Sequence, residues 1–451
     1  MRLLTRERYF YVTLLSLAVP MILQSMISVG VGVADNIMVG SLGELAISGV
    51  AMANQVQNIM QMLVTGVSAA IVLLASQYWG RGDAVMAKKV VSIGLRICLS
   101  IGLAVSVFVF AAPQLALRAF TNNWDVIAEG VKYLRIMAIS YVFFCLANIL
   151  IASMRCVETV RISLVIALST LLIDVGLNYI LIFGHFGFPS LGLQGAALAT
   201  LISRIVEACI IVLYVRLKDE KLRIRIRDLT AKLDGDLLSD FLRYGMPVMI
   251  GDLLWGIGGV AQASVIGRLG SSAIAACSIT LTLFSFVTVF VYSLGGASGV
   301  VIGKTVGANE FEKAKEYTRT LQLIFICTGI FGSTCLFFLR DFFISLYQIP
   351  AETTQLARSF IGVLCVTILG TSYHAPCFTG IIRAGGDTRF VLKIDLFFVW
   401  AVVMPLSCLA AFILRLPPAA VFFCLKCDQL MKPPIAFWKT NSFSWMKNLT
   451  R

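Results

Sequence analysis

Residues 11–43 read YVTLLSLAVPMILQSMISVGVGVADNIMVGSLG, and this apolar stretch is the clearest indication of the fold. It is long enough to cross a bilayer, because about 20 apolar residues at a rise of about 1.5 Å each span the hydrocarbon layer. Its one carboxylate, Asp35, lies near the far end, and Pro20 lies in the middle. An aspartate at the centre of such a helix costs about 2.5–3.5 kcal/mol on insertion scales, so Asp35 is expected to face a partner, a cavity or an ion. Pro20 removes one helical hydrogen bond and predicts a kink or hinge.

The rest of the chain repeats this apolar character. Of its 451 residues, 59% are hydrophobic and only 14% are charged, which is typical of a multi-pass membrane protein. Twelve apolar segments are predicted to be transmembrane helices, and the last is weakened by charged residues and two prolines. The predicted spans are residues 10–38, 46–78, 88–112, 131–153, 162–184, 193–215, 241–267, 274–303, 320–339, 354–382, 390–414 and 417–437.

The distribution of positive charge predicts the orientation. If both termini lie on one side of the membrane, that side collects most of the 37 Lys and Arg residues. The positive-inside rule therefore places both termini in the cytoplasm, and the N-terminal residues are interpreted as a tail rather than a cleaved signal peptide. This topology also explains the net charge of +13, so nucleic-acid binding is not needed to explain it.

The chain aligns with itself at an offset of 227 residues without a gap. Pro20 then meets Pro247, and Gly80 meets Gly307. Chance matches are common among apolar residues, but an ungapped set that includes prolines and loop glycines indicates two homologous halves. One residue further in register, Arg155 meets a second loop arginine. The chain is therefore predicted to be an all-α membrane protein with twelve transmembrane helices in two six-helix repeats.

Because six is an even number, both halves enter the membrane from the same side, as parallel repeats related by a pseudo-two-fold axis along the membrane normal. The predicted organisation is an N-terminal bundle at residues 1–220, a cytoplasmic linker at 221–240 and a C-terminal bundle with a cytoplasmic tail at 241–451. The basic linker can lie against anionic membrane lipids. Transporters built in this way bind near the midplane and expose the site alternately to the two sides.

The repeat breaks at Asp35, which aligns with Gln262. A carboxylate that only served the shared fold would be expected in both halves. The asymmetry favours ion-handling chemistry in the N-terminal half. The alternative is that Asp35 is an interfacial acid at the end of its helix.

Six fragments along the chain resemble one family in their order and spacing. They are ADNIMVGSLGELAISGVAMANQ at 34–55, QYWGRGD at 77–83, GLNYILIFG at 176–184, GAALAT at 195–200, IIRAGGDTR at 381–389 and WMKNLTR at 445–451. Together they resemble the multidrug and toxic compound extrusion (MATE) family over essentially the whole chain. The resemblance implies a monomeric antiporter of the bacterial inner membrane that has no cofactor. It would expel cationic or amphipathic drugs in exchange for H⁺ or Na⁺.

The resemblance also implies a cation site. In one branch of the family the site joins an Asp of the first span, an Asn and an Asp four residues apart in the fifth span, and a Thr of the sixth. The matching positions are Asp35, Asp174, Asn178 and Thr200, and they would also form any Na⁺ site. The fifth-span pair is exchanged here, which preserves two carboxylates but moves one of them.

The local chemistry agrees with this assignment. Asp174 and Asn178 are spaced i and i+4, so they share one helix face. Two carboxylates close together in a low dielectric cannot both stay ionised cheaply, so a proton or small cation is the natural third member. Oxygen-only ligands suit a hard cation. The alternative for Asp174 is pairing with a basic group. A second branch of the family uses acids at positions that correspond to Trp255 and Ser372 here, which disfavours that mechanism.

Other intramembrane residues give weaker signals. His374 and Asp252 are secondary candidates for a proton relay, although buried packing and ion pairing are the alternatives. Arg204 and Glu207, three residues apart, are expected to neutralise each other. Flexible side chains near Pro20 and in the second span are candidates for lining a drug chamber, with ordinary packing as the alternative. These are Met21, Gln24, Met52 and Gln55.

Two other functions remain as alternatives. A lipid-linked sugar flippase of a related superfamily is the closer one, but it would be expected to have further spans and a strongly basic central cavity. A membrane-embedded transferase would need a clustered acid–base set at the interface, and the chain has only two histidines, far apart in sequence. The sequence therefore predicts a transporter rather than an enzyme.

Overall fold

The computed structural model describes residues 4–225, 228, 234–347 and 349–450, apart from the side chain of Glu44. Every regular element within these ranges is helical. Eleven helices of this described part are long and apolar enough to cross a membrane, and they are numbered here as spans in chain order. The spans are Arg8–Gly40, Glu44–Gly80, Ala84–Ala111, Trp124–Cys156, Arg161–Phe183, Leu193–Leu217, Gly235–Gly267, Ser271–Gly307, Phe311–Ser345, Ala351–Ile382 and Thr388–Ile413.

The twelfth predicted span consists of two consecutive helices, Pro418–Lys426 and Asp428–Ser442, separated by Cys427. We call them the twelfth segment. Neither helix alone is long enough to cross a membrane, because they contain 9 and 15 residues. A short helix, Pro113–Arg118, also lies between the third and fourth spans.

Paired turns repeat the same backbone conformation in the two halves. Gly43, after the first span, has φ 107°, and Gly270, after the seventh, has φ 110°. Glycine populates this left-handed region readily, whereas other residues do so at a cost. The two glycines are equivalent at the offset of 227. The repeat seen in the sequence therefore also exists in the backbone.

The second and eighth spans approach each other through two glycines. A Cβ atom at Gly80 would lie 1.9 Å from the carbonyl oxygen of Lys304, and one at Gly307 would lie 2.0 Å from that of Gln77. Lys304 is the repeat equivalent of Gln77, so the contact is reciprocal. The predicted fold of two parallel six-helix repeats is confirmed.

Contacts divide the chain into two compact units. The N-unit consists of the described residues of Val19–Ala75 and Asp83–Met249. The C-unit consists of those of Met1–Ala18, Ser76–Gly82 and Ile250–Arg451. The first and seventh spans therefore change unit next to their central prolines. The predicted domain boundaries at residues 220 and 240 are drawn from the sequence repeat, and they stay a prediction.

The predicted linker is partly helical in the structure, and the predicted hinge is helical. The seventh span begins at Gly235, so the last residues of the predicted linker 221–240 are helical. Residues 226, 227 and 229–233 of that linker lie outside the described part of the chain. The first span remains helical through Pro20, and the hinge motion expected there stays a prediction.

Candidate functional site

The fifth and sixth spans are packed closely enough to share one site. A Cβ atom at Gly195 would lie only 2.4 Å from the carbonyl oxygen of Leu181, so the backbone of the sixth span can approach the fifth only because this residue is glycine. The approach places Thr200 of the sixth span in the same cavity as Asn178 of the fifth. The close backbone contact between the fifth and sixth spans therefore brings the residues of the site together.

Asn178 joins the two acidic side chains. Its Nδ2 donates a hydrogen bond to Asp35 Oδ1 at 2.8 Å and a longer one to Asp174 Oδ2 at 3.4 Å. Asp174 and Asn178 are each 1% exposed, and Asp35 is partly buried. The carboxyl groups of Asp35 and Asp174 are close enough to interact electrostatically. The four predicted ion-site residues are thus brought together in the N-unit.

Two oxygens of this cluster lack donors. Asp174 Oδ1 and Asn178 Oδ1 are buried and accept no hydrogen bond from the described residues. Leaving a buried polar atom unsatisfied costs about 1–3 kcal/mol. Carboxylate, amide and hydroxyl oxygens are suitable ligands for a hard cation, and a proton shared by the carboxyl groups would also reduce the electrostatic cost. The residues present therefore fit either H⁺ or Na⁺.

A cavity of about 150 Å³ adjoins the cluster. Drug-sized ligands occupy cavities of about 300–1,000 Å³, so this space suits an ion and water rather than an organic drug. Its walls come from the first, second, fourth, fifth and sixth spans. The lining residues are Gly32, Asp35, Asn36, Val39, Val50, Asn54, Tyr133, Asn178, Ala196 and Thr200.

Sequence reasoning did not select Tyr133 or Asn54 among these residues. A Cβ atom at Gly49 would lie 2.8 Å from the backbone nitrogen of Gly130, so the second and fourth spans meet closely one turn from both side chains. The Tyr133 hydroxyl also interacts with that of Thr200. Asn54 lies within the first quoted family fragment, but nothing in the sequence distinguishes Tyr133 from other span tyrosines.

Arg204 supplies positive charge beside the cluster. Its Nη1 donates to Glu207 Oε2 at 2.7 Å, so the ion pair expected from the sequence is present. The guanidinium also lies over the ring of Phe144 at 4.9 Å and interacts electrostatically with Asp35 and Asp174. The alternative role for Asp174, as the direct partner of a basic group, is not what the geometry shows, because its close neighbours are Asn178 and Asp35.

The drug-chamber candidates do not line this cavity. Met21 is buried, Met52 and Gln55 are partly buried, and Gln24 accepts a hydrogen bond from Arg155. A larger open groove of about 370 Å³ in the C-unit is lined mainly by apolar side chains such as Phe290. That groove offers no carboxylate for a coupling ion. The position of a drug chamber stays a prediction.

Asp252 belongs to a series of ion pairs in the C-unit. Arg383 Nη1 donates to Asp252 Oδ1 at 2.8 Å, and Arg383 Nη2 lies 3.8 Å from Asp395 Oδ2. Lys432 Nζ then joins Asp395 to Asp428, at 3.0 Å from each carboxylate. In the sequence, Lys432 and Asp428 are only charged residues that weaken the twelfth segment. The ion pair of Lys432 with Asp395 could not be predicted, because Asp395 lies in the eleventh span, remote in the chain.

His374, the other relay candidate, is buried near this series. Its Nδ1 lies 2.8 Å from the carbonyl oxygen of Gly370, in the same helix. It interacts electrostatically with Lys432, Asp428 and Asp395. The geometry agrees with a satisfied core histidine, and relay roles for His374 and Asp252 stay predictions.

Comparisons with known proteins agree with the architecture and its repeat. The profile of the MatE family matches residues 20–180 and again residues 247–409, so its two matches begin at the paired prolines. A protein named probable multidrug resistance protein NorM from Agrobacterium fabrum (strain C58) is 26% identical over 425 residues, or 92% of this chain and 90% of that one. Its namesake from Streptococcus pneumoniae (strain R6) is 28% identical over 406 residues, or 88% and 87%.

A solved structure shows the same fold. The chain and a mutant of the Vibrio cholerae MATE transporter VcmN align over 98% of each chain with a TM-score of 0.88. Their sequences are 17% identical, so this likeness concerns the fold alone.

Proposed function

Because the chain belongs to the MatE family, we propose that it is a multidrug exporter which couples drug efflux to inward movement of H⁺ or Na⁺. Its similarity to two proteins named for multidrug resistance supports the drug specificity. The cluster of Asp35, Asp174 and Asn178 beside a small cavity supports the ion coupling. That cluster is the observation that carries the proposal.

In the proposed cycle, the coupling ion enters the cavity and neutralises the acidic pair. A proton would be held between the carboxyl groups of Asp35 and Asp174. A sodium ion would be held by the same carboxylates with the carbonyl oxygen of Asn178 and the hydroxyl of Thr200. Either ion changes how strongly the first span is drawn toward the fifth, because Asp35 is attached to the fifth span through Asn178.

The change would reach the drug through the first span. Pro20 lies in that span, between Asp35 and the N-terminus, and is the proposed hinge. Bending there would weaken drug binding and release the drug outside. The substrates are proposed to be organic cations and amphipathic drugs. The protein is proposed to act as a monomer in the bacterial inner membrane, with both termini in the cytoplasm.

The first prediction tests the coupling. The full chain is reconstituted into vesicles, and ethidium efflux is measured with an imposed proton gradient, an imposed sodium gradient or neither. Asp35→Asn and Asp174→Asn are each expected to reduce gradient-driven efflux at least tenfold, because an amide cannot exchange the ion's charge.

Asp125→Asn is the matched control, since Asp125 is exposed at the start of the fourth span. It should behave as the unchanged protein does. The gradient that drives the unchanged protein identifies the coupling ion. Wild-type rates in both cluster variants at equal amounts of folded protein would refute the coupling scheme.

A further inference from the structure

Arg155, in the last turn of the fourth span, is a cation without an acidic partner among the described residues. Its Nη2 donates to Gln24 Oε1 at 2.9 Å. Its Nε is buried and has no hydrogen-bond partner there. The neighbouring Cys156 thiol points toward the carbonyl oxygens of Ala152 and Ile71 instead. A charged side chain inside a membrane protein normally has an opposite charge beside it, so the missing acid needs an explanation.

The second half of the chain contains the same pair with the acid in place. Arg155 corresponds to Arg383, and at the same offset Gln24 corresponds to Asp252. Both hydrogen-bonded pairs are separated by 131 residues. In the C-unit, however, the arginine binds a carboxylate, at 2.8 Å. The fold therefore accommodates an acid at this place, and the N-unit has a neutral amide there.

We propose that Arg155, oriented by Gln24, binds the carboxylate of zwitterionic or anionic amphipathic substrates. The substrate would supply the negative charge that Asp252 supplies in the C-unit. A guanidinium suits this role, because its planar set of donors matches the two oxygens of a carboxylate. One of its donors is on Gln24, and Nε has no protein acceptor among the described residues. Arg155 as a whole is only partly buried, so part of its side chain remains exposed although its Nε is buried.

This inference rests on the proposed function and adds a substrate preference to it. Asp35 and Asp174 would handle the coupling cation, whereas Arg155 would recognise a negative group on the drug. A drug that carries both an ammonium and a carboxylate group would be favoured over the same drug without the acid. An anionic lipid headgroup has similar chemistry, so the test must separate it from a drug carboxylate.

The second prediction compares a zwitterionic fluoroquinolone with its ethyl ester, which lacks only the free acid. Transport by the full chain is measured in vesicles of neutral lipid and in vesicles that contain anionic lipid. Gln24→Glu supplies an internal carboxylate and repeats the pair of the C-unit, and Arg155→Gln removes the charge. Each is expected to raise KM for the acid about tenfold more than KM for the ester. Arg155→Lys should recover part of the preference.

Arg161→Gln is the control, because this arginine is exposed at the start of the fifth span. It should leave both KM values unchanged. Binding of acid and ester to the purified protein, followed by tryptophan fluorescence, provides a readout independent of transport. Loss of acid binding in Gln24→Glu would show that the effect comes from the charge.

Three outcomes would overturn the inference. The unchanged protein could treat acid and ester equally, or Arg155→Gln could impair both equally, as a purely structural role would. The KM values of the variants could also differ from those of the unchanged protein only in anionic vesicles, and by the same factor for acid and ester. That result would identify a lipid site. Failure of the unchanged protein to export ethidium under any gradient would instead refute the proposed function.

Discussion

Asn178 determines how the two acids of the N-unit meet. Its amide lies between Asp35 and Asp174, with the shorter hydrogen bond to Asp35. In the family pattern that the chain resembles, the acid and amide of the fifth span stand in the opposite order, which would place a carboxylate directly beside Asp35. The exchange therefore puts a hydrogen-bond donor beside Asp35, and the same amide also reaches the second acid one turn away on the same helix.

The third prediction concerns this amide. Asn178→Leu preserves the approximate volume but removes the donor shared by the two carboxylates. We expect loss of gradient-driven ethidium efflux and a destabilisation of about 1–3 kcal/mol, because buried acceptors lose their partner. Efflux in vesicles and thermal unfolding in detergent measure the two effects.

Asn148→Leu is the corresponding control in the neighbouring fourth span, where the amide donates to the carbonyl oxygen of Phe144 and to no other group of the described residues. It should reduce stability by less and retain coupling. If Asn178→Leu retained full coupling, the amide would have no part in ion handling.

At the level of elements, close helix contacts depend on small residues that the apolar pattern does not distinguish. Gly80 and Gly307 let the second and eighth spans meet through their backbones, and Gly195 does the same for the fifth and sixth spans. The sequence repeat identified Gly80 and Gly307 as a pair. The repeat did not show that Gly80 packs against the helix of Gly307 and that Gly307 packs against the helix of Gly80. A sequence repeat identifies equivalent residues, not residues in contact.

The fourth prediction uses two glycine-to-alanine changes. Gly307→Ala would place a methyl group 2.0 Å from the carbonyl oxygen of Gln77, so the helices must separate. Overpacking of this kind typically costs about 1–3 kcal/mol, which should appear as a lower melting temperature in detergent.

Gly30→Ala is the control, because its Cβ would meet nothing within 4 Å. Alanine at an open helical position is expected to stabilise slightly, by about 0.5–1 kcal/mol. Equal melting temperatures for the two variants would show that the backbone contact is looser than described.

At the scale of the whole molecule, the end of the chain is part of the C-unit rather than a free tail. Trp445 is fully buried, and its Nε1 donates to the carbonyl oxygen of Thr440. The backbone nitrogen of Lys447 donates to the carbonyl oxygen of Gly385 at 2.8 Å, and that of Leu449 donates to Gln77 Oε1 at 2.8 Å. Described residues of the quoted fragments at 77–82, 381–389 and 445–450 thus meet within the C-unit.

The fifth prediction concerns Asp387, which binds this chain end. Its carboxylate accepts from Lys439 at 2.7 Å and from Lys447 at 3.2 Å. Burial would raise the pKa of Asp387, but the two lysines outweigh it and hold the pKa below its ordinary value. A lowered pKa in the folded state means that the stabilisation is complete above the unfolded pKa of about 3.9 and is lost as pH falls through the folded value.

Asp387→Asn should therefore lower the melting temperature at pH 7, and the difference from the unchanged protein should shrink as pH falls below about 4 and disappear below the folded pKa. Thermal unfolding across this pH range measures it. Asp341→Asn is a control, because that acid forms only exposed ion pairs. A difference for Asp387→Asn that stayed constant with pH would rule out ionic attachment of the chain end.

The all-helical membrane fold and its duplication could be predicted from the sequence alone, and the four ion-site residues were predicted there as well. Apolar length, an ungapped repeat, helical spacing and family motifs are all local or periodic properties of a chain. Three features became visible only once the helices were packed: Asn178 bridges the two acids, Tyr133 lines their cavity and Arg155 faces an amide. Each of these depends on which side chains meet across different helices, and a linear sequence does not show those contacts.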